Sequence, residues 1–295
     1  MTVDEFIKKW TTENPLEKAA KDTSEGALCG EFLVGENKKI RFSKGNLQFN
    51  ASEGSHKTAD GILRPGTWRF AEHQWDTIGN GNKEISPDYA GFVDLFGWGT
   101  SGWESGARWY QPYSTSSSYN DYYPGNNSKN NLIGKYKNAD WGAYNPISNG
   151  GNQPGQWRTL TKYEWNYLFQ HNKWSLGTID GESCFLLISD KVSEHFKILR
   201  GGEEGWRGNL TDYSGNTFTA EQFKKYEDQG VVALPCGGRR SGTSLNDVGS
   251  SGCYWSSSAN NDYLAYDFFF LSGGVNSSDG RSRGYGCSVR LVQDV

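Results

Sequence analysis

Large aromatic side chains stand in short segments between glycine-rich turns along almost the whole chain. The 295 residues include 12 Trp, 16 Tyr and 15 Phe beside 38 Gly, and no apolar run approaches the roughly 18 to 20 residues of a membrane-spanning helix. These rings can bury enough surface to fold a chain whose mean hydropathy is -0.74, which excludes a disordered protein. The pattern predicts a loop-rich globular protein of short strands and few long helices.

The charges are nearly balanced, with a formal net charge of -4. Because nucleic-acid-binding proteins carry a basic face, we expect no nucleic acid partner. The N-terminal residues MTVDEFIKKW lack the apolar core of a signal peptide. We expect no cofactor and no obligatory calcium or zinc, since no group of Cys, His or acidic residues has the spacing of metal ligands.

The chain divides into an N-terminal helical arm with a linker, residues 1–29, and one main domain, residues 30–295. Residues 2–21 have the pattern of a short amphipathic helix, with Phe6 and Trp10 on one face, and Pro15 ends or kinks it. Alternating runs predict strands over 32–34, 40–49 and 67–70. Residues 71–156 are aromatic and rich in turns, and loops of this length commonly carry function or pack through their own side chains.

Two helices carry capping signals. Residues 157–171 form the clearest helix, with Thr161 as N-cap and Glu164 completing a capping box. Residues 220–229 form a second helix, with Thr219 as cap and Gln222 three residues later. From residue 231 onward, the segments VVALP, CYWSSS, YLAYDFFFL and CSVRLV predict a small antiparallel sheet joined by glycine-rich loops.

Five cysteines stand at positions 29, 184, 236, 253 and 287, and no two of them form a C-x-x-C pair. Disulfide-stabilised scaffolds are smaller and denser in cysteine, so mostly reduced, buried thiols are favoured. A single Cys253–Cys287 or Cys236–Cys253 bridge is the alternative.

Several segments resemble the formylglycine-generating-enzyme-like branch of the C-type lectin fold. They are WRTLTKYEW at 157–165, GRRSGTSLNDVGSSGCYWSSS at 238–258, AYDFFF at 265–270 and GCSVRLV at 286–292. The segments FSKGNLQF, TWRFAEHQWD and DLFGWGTSGW are similar to the N-terminal half of Bacteroidetes surface proteins of the major-paralogous-domain type. The resemblance implies an α+β, C-type lectin-like fold with short helices around a small antiparallel sheet.

The same framework is used by the variable proteins of diversity-generating retroelements. The resemblance therefore implies a ligand-binding display protein whose C-terminal surface, about residues 255–292, varies to bind a protein or cell-surface target. It also implies a place outside the cell, at a bacterial cell surface or on a phage particle. A surface or adhesion domain of fixed sequence that binds glycan is the alternative, followed by a formylglycine-generating oxygenase.

Residues of the domain core are predicted by type and neighbourhood. Trp157, Trp165 and Trp255 supply large rings for a domain with little regular structure. Arg158 and Arg290 each sit beside apolar residues, where an unpaired charge is costly, so we expect them to pair with acids such as Glu164 or Asp247.

Packing and displayed residues alternate near the C-terminus. A strand sends successive side chains to opposite faces, which places Phe268 and Phe270 inside and Asp267, Phe269 and Leu271 outside. The outward set mixes large rings with small polar residues, as paratopes do. The predicted ligand-contacting residues are Asn261, Asp262, Tyr263, Asp267, Phe269, Leu271, Gly273, Ser278, Asp279, Gly280, Ser282, Tyr285 and Cys287.

The amino-acid usage of residues 256–292 bears on diversification. A retroelement that mutates the adenines of AAY codons reaches every residue type except Lys, Glu, Gln, Met and Trp, and none of those five occurs there. Residues 230–254 also lack all five, so part of the depletion reflects the composition of a turn-rich sheet. A C-terminal surface of fixed sequence is therefore the alternative to a surface diversified by a retroelement.

The sequence motifs give little support to an enzyme or to a calcium-dependent sugar-binding protein. The formylglycine-generating activity requires two cysteines close in sequence, and Cys287 has no such neighbour. The histidines are scattered and form no catalytic motif. The segment QPGQW at 153–157 lacks the acid of a calcium-dependent sugar site. Sugar stacking on Trp98, Trp103 or Trp109 is the remaining glycan possibility, against a role for these rings in the core. We expect a protein that is not an enzyme.

Overall fold

The computed structural model describes residues 24–104, 110–188 and 212–295. The predicted N-terminal helix over 2–21 and Trp109 lie outside these residues. The strands of the described part are β1 Ala27–Leu33, β2 Lys39–Ser43, β3 Leu47–Lys57, β4 Leu63–Phe70, β5 Arg158–Thr159, β6 Lys173–Ile179, β7 Glu182–Ile188, β8 Thr217–Phe218, β9 Val232–Pro235, β10 Arg239–Ser241, β11 Ser244–Asn246, β12 Ser251–Ala259, β13 Leu264–Leu271, β14 Gly274–Ser282, β15 Tyr285–Gly286 and β16 Leu291–Asp294. The α-helices are α1 Trp141–Tyr144, α2 Lys162–His171 and α3 Ala220–Glu227.

These strands form five small sheets. Their orders are β1-β2-β16-β5, β11-β10-β15, β12-β13-β14, β3-β4 and β8-β6-β7-β9. The chain enters the first sheet three residues before the expected domain start, because β1 begins at Ala27 and pairs with β2. The last strand, β16, lies between β2 and β5, so the two ends of the described chain meet in one sheet.

The α+β, C-type lectin-like class expected from the resemblance is wrong. Within the described residues, 39% lie in strands and 18% in helices, and the strands are divided among five sheets rather than gathered in one. The physical reason is the density of turns, which leaves the two longer α-helices only 10 and 8 residues. The protein is a mostly-β assembly of short strands. None of the described helices is long and apolar enough to span a bilayer.

Both predicted capping boxes form. The Thr161 side chain accepts from the backbone N–H of Glu164, whose carboxylate accepts from the backbone N–H of Thr161, at the start of α2. Thr219 and Gln222 make the same reciprocal pair at the start of α3. Each box satisfies two backbone donors that a helix N-terminus would leave unpaired, which is why local sequence alone located these helices.

The aromatic region between β4 and β5 packs through its own side chains. It contains α1 and 3₁₀ turns at Gly79–Glu84, Tyr119–Asp121, Pro124–Asn126 and Gly134–Ala139. Trp98 is fully buried and donates from Nε1 to the carbonyl oxygen of Ser256 at 2.8 Å, which confirms its role in the core. Trp103 is partly buried against the same core. The region is therefore an integral part of the domain.

The sheet β12-β13-β14 is covered on both faces. Cys253, Trp255 and Ala265 belong to one buried cluster. Tyr254 and Phe268 belong to another, which includes side chains of α2 and the sheet β8-β6-β7-β9. The central strand therefore carries fully buried side chains on both of its faces.

The two arginines predicted to pair with acids behave differently. Arg158 forms the predicted ion pair with Glu164, at 2.8 Å. No acid in the described part of the chain pairs with Arg290; its guanidinium instead donates to the side-chain oxygens of Gln74 at 3.0 Å and of Asn46 at 3.5 Å. Asp247 pairs with Arg239, at 2.9 Å. Neutral oxygens thus take the place of the carboxylate that the sequence suggested, and the buried Nε of Arg290 has no partner among the described residues.

One of the two disulfides that the sequence left open is present. Cys253 in β12 is bonded to Cys287, with Cα atoms 5.3 Å apart. Cys29, Cys184 and Cys236 are free thiols, the last two buried. Burial raises the pKa of the Cys236 thiol to about 12, so this thiol stays protonated and unreactive at neutral pH.

Candidate functional site

The predicted ligand-contacting residues do not form one surface. The exposed members are Asn261, Asp262, Tyr263, Leu271, Gly273 and Ser278. The half-buried members are Phe269, Asp279, Gly280, Ser282 and Tyr285, and the buried members are Asp267 and Cys287. Tyr263 lies just before β13 and Leu271 at its end, roughly 26 Å apart along an extended chain. Tyr285 belongs to another sheet, where it pairs with Ser241 of β10.

Asp267 and Cys287 were wrongly placed on the outer face. Cys287 is fully buried in the disulfide. Asp267 is 1% exposed and lies between Cys253 and the guanidinium of Arg281, whose Nε donates to its Oδ2 at 2.9 Å. The alternation itself is correct, since Phe268 and Phe270 are buried as predicted. The error is the assumption that the opposite face meets solvent, because a second part of the core covers it.

Asp267 gives the protein a local pH dependence. Burial raises the pKa of this carboxyl from 3.8 to about 6, against the opposing effect of Arg281. Between pH 4 and pH 6 the folded state therefore binds more protons at this residue than the unfolded state, so its contribution to stability falls as the pH rises. Urea titrations give the free energy of unfolding of wild type and of Asp267→Asn at each pH. We expect the difference, wild type minus variant, to decrease as the pH rises from 4 to 6. A difference that stays constant or increases would contradict this placement.

An open cleft of about 510 Å³ lies at the Tyr263 end of β13. We call it the tyrosine–asparagine cleft. Its lining residues are Tyr119, Asn120, Tyr123, Asn126, Asn127, Ser128, Asp262 and Tyr263. Residues 119–128 form the first wall, and the loop between β12 and β13 forms the second. The cleft thus joins the predicted ligand-contacting residues Asp262 and Tyr263 to a segment of the turn-rich aromatic region.

Hydrogen bonds and ring contacts connect the two walls. The rings of Tyr119 and Tyr263 meet edge to face, with centroids 4.7 Å apart and planes at 89°. The Ser128 hydroxyl donates to Oδ1 of Asp262 at 2.6 Å, and the Tyr123 hydroxyl donates to the backbone oxygen of Asp262. Partial burial raises the pKa of the Tyr123 phenol, which keeps that donor protonated. These contacts preorganise the cleft.

The first wall is shaped by a left-handed turn. Gly125 and Asn126 have φ angles of 64° and 57°, and asparagine is one of the few side chains that tolerate this conformation. The Asn126 N–H donates to the carbonyl of Tyr123 at 2.8 Å and closes the turn. The turn sets exposed Asn126 and Asn127 on the rim of the cleft.

Several polar groups of the lining have no partner among the described residues. Oδ1 of Asn127 accepts a hydrogen bond from the Lys129 N–H at 2.9 Å, whereas its amide NH₂ group does not donate. The Tyr123 hydroxyl, whose one proton is donated to the backbone oxygen of Asp262, also lies 3.0 Å from the side-chain amide of Asn120. The Asn126 side chain and the Tyr263 hydroxyl make no hydrogen bond within that part of the chain either. Aromatic faces with free amide and hydroxyl groups suit adaptable recognition.

The sequence held a signal for the first wall. SYNDYYPGNNSKNN, residues 118–131, is rich in tyrosine and asparagine, the composition of a binding loop. Which other segment faced it could not be inferred, since the two walls are more than 130 residues apart in sequence. Tyr263 and Asp262 were found because they flank a recognisable strand.

Comparisons with known proteins match one part of the chain. A family described as a domain of unknown function (DUF8237) matches residues 207–292. No curated protein and no solved structure matches the chain significantly. The matched segment contains the second wall of the cleft and the sheet β12-β13-β14, whereas the first wall lies outside it.

Proposed function

We propose that this chain is a ligand-binding protein that holds its ligand in the tyrosine–asparagine cleft. The observation that carries the proposal is the cleft itself, which is open, about 510 Å³, and lined by three tyrosine rings and unpartnered amides. Asp262 is the one charged side chain in the lining set, so recognition rests on stacking and hydrogen bonding. The lining set contains no histidine, cysteine or lysine.

The ligand is proposed to be a molecule of a cell surface, a protein in the first instance. Tyrosine with small polar residues is the composition of protein-binding loops, which supports this choice. A glycan is the second candidate, because free amides and hydroxyls beside aromatic faces also match the hydroxyl groups and apolar faces of sugars.

An extracellular location supports both candidates. The buried Cys253–Cys287 disulfide favours an oxidising compartment, because disulfides are rare in proteins kept in a reducing cytosol.

Diversification of the C-terminal surface stays part of the proposal in a reduced form. Exposed Asn261, Asp262, Tyr263 and Ser278 can change without unfolding the sheet, since surface substitutions alter stability within about 0.5 kcal/mol. Asp267 and Cys287 belong to the packed interior and leave the set. A template repeat nearly identical to the codons for about 255–292, beside a reverse transcriptase gene, is the expected genomic finding. If the neighbouring DNA contains no such repeat, diversification is contradicted and the binding surface has a fixed sequence.

Substitutions in the cleft are expected to remove binding and preserve the fold. Tyr119→Ala and Tyr263→Ala should each weaken binding about thirtyfold, because truncating a central aromatic contact costs roughly 2 kcal/mol or more. The measurement applies labelled protein to a printed array of purified extracellular protein domains and to a glycan array, followed by titration of each retained probe. Melting temperatures should stay within about 2 °C of wild type.

Tyr163→Ala is the matched control, since this tyrosine is 74% exposed on α2 and lies outside the cleft. It should bind as wild type does. Equal loss with Tyr163→Ala, or unchanged affinity with both cleft variants, would place the binding surface elsewhere.

A further inference from the structure

Arg283 lies directly behind the cleft and carries a buried charge. Its side chain is fully buried, and no carboxylate of the described residues forms an ion pair with it. The guanidinium lies against two rings, 4.6 Å from the centroid of Trp98 and 5.0 Å from that of Tyr123. Backbone carbonyls therefore supply the hydrogen bonds that an ion pair would supply elsewhere.

The acceptors of Arg283 come from both walls of the cleft. Nη1 donates to the carbonyl of Tyr122 at 3.3 Å, and Nη2 donates to the carbonyl of Ser128, both in the first wall. Nη2 also donates to the carbonyl of Asn261 at 3.0 Å, in the second wall. Nε donates at 3.2 Å to the carbonyl of Leu264, where β13 begins. One planar group thus fixes four backbone positions at defined separations.

The other direct links between the walls involve more exposed groups. They are the Tyr119–Tyr263 ring contact and the bonds that Ser128 and Tyr123 donate to Asp262. Tyr263 and Asp262 are exposed, so water competes for these contacts. The guanidinium of Arg283 belongs to a fully buried side chain, so water competes less for its bonds, and these bonds are charge-assisted.

We infer that Arg283 is a positioning residue for ligand binding, which holds the two walls of the tyrosine–asparagine cleft in their binding geometry without touching the ligand. This inference rests on the proposed function. Lysine is a poor substitute, because a single ammonium cannot reach carbonyls on several sides with the fixed fork of a guanidinium. Loosening the walls makes the ligand order them on binding, which lowers affinity without removing a contact.

The test compares Arg283→Lys with Arg290→Lys. Arg290 is also fully buried and also bonds to neutral oxygens, but its partners Gln74 and Asn46 lie outside the cleft. Hydrogen exchange is followed at the backbone amides of Tyr122 and Asn126 in the first wall and of Asn261 in the second. Binding is titrated with whichever array probe the wild type retains. Both variants are studied at temperatures where circular dichroism shows them folded.

Arg283→Lys should speed exchange in both walls at least tenfold and weaken probe binding at least tenfold. Arg290→Lys should leave exchange in the walls and binding near wild type, although it also lowers the melting temperature. Unchanged exchange in the walls of Arg283→Lys overturns the inference, and so does an equal effect of Arg290→Lys. If the wild type retains no probe, the proposed function fails, and the exchange data alone decide whether Arg283 holds the walls.

Discussion

Replacing Trp255 with alanine is expected to lower the free energy of unfolding by about 3 to 5 kcal/mol, as the loss of a large buried aromatic does. Trp255 is fully buried in β12, and its Nε1 donates to the carbonyl of Phe96 at 2.7 Å. Truncation leaves a cavity between β12 and the aromatic region, and it removes one of the two donors to that carbonyl, which keeps the N–H of Cys287. The change is measured by urea denaturation monitored by circular dichroism.

The control for Trp255→Ala is Trp255→Phe, which retains most of the ring volume and loses the donor. We expect it to lower stability by less than the alanine variant. Tyr163→Ala, at a residue 74% exposed, should change stability within about 0.5 kcal/mol. If Trp255→Ala melts within a degree or two of wild type, the position of Trp255 in the core is wrong.

Removing the Cys253–Cys287 disulfide is the second large effect. The bond closes a loop with a sequence separation of 34 residues, and the chain-entropy relation gives about 3 to 4 kcal/mol for a loop of this length. Cys287 also exchanges backbone hydrogen bonds with Phe96, at 2.9 and 3.0 Å, next to the Trp255 contact. The Cys253→Ala, Cys287→Ala double variant should therefore unfold at lower urea concentration than wild type.

Thiol counting checks the bond independently. Denatured, unreduced protein should react at three thiols, Cys29, Cys184 and Cys236, and reduced protein at five. Cys29→Ser is the matched control, since this half-buried thiol is free. It should lose far less stability than the double variant. Five reactive thiols before reduction, or equal stability of the double variant and wild type, would contradict the bond.

The sequence alone determined features that depend on near neighbours. The capping boxes at Thr161 and Thr219 form because each pairs residues three apart, a spacing that local backbone geometry controls. Phe268 and Phe270 are buried because side chains alternate along any strand. Trp255 and Trp157 are buried because rings of that size rarely remain in water when a core is available.

Tertiary structure decided everything that depends on distant segments. Alternation places the side chains of Asp267 and Phe268 on opposite faces of β13. The face that carries Asp267 is buried only because the aromatic region packs against it. Within the described residues, Arg290 donates to Gln74 and Asn46, more than 200 residues away in sequence, and pairs with no acid. The cleft forms where residues 119–128 meet the loop before β13, with the guanidinium of Arg283 bonded to both. Local patterns specify which way a side chain points along its own element, whereas the surroundings that it meets are set by contacts between segments far apart in the chain.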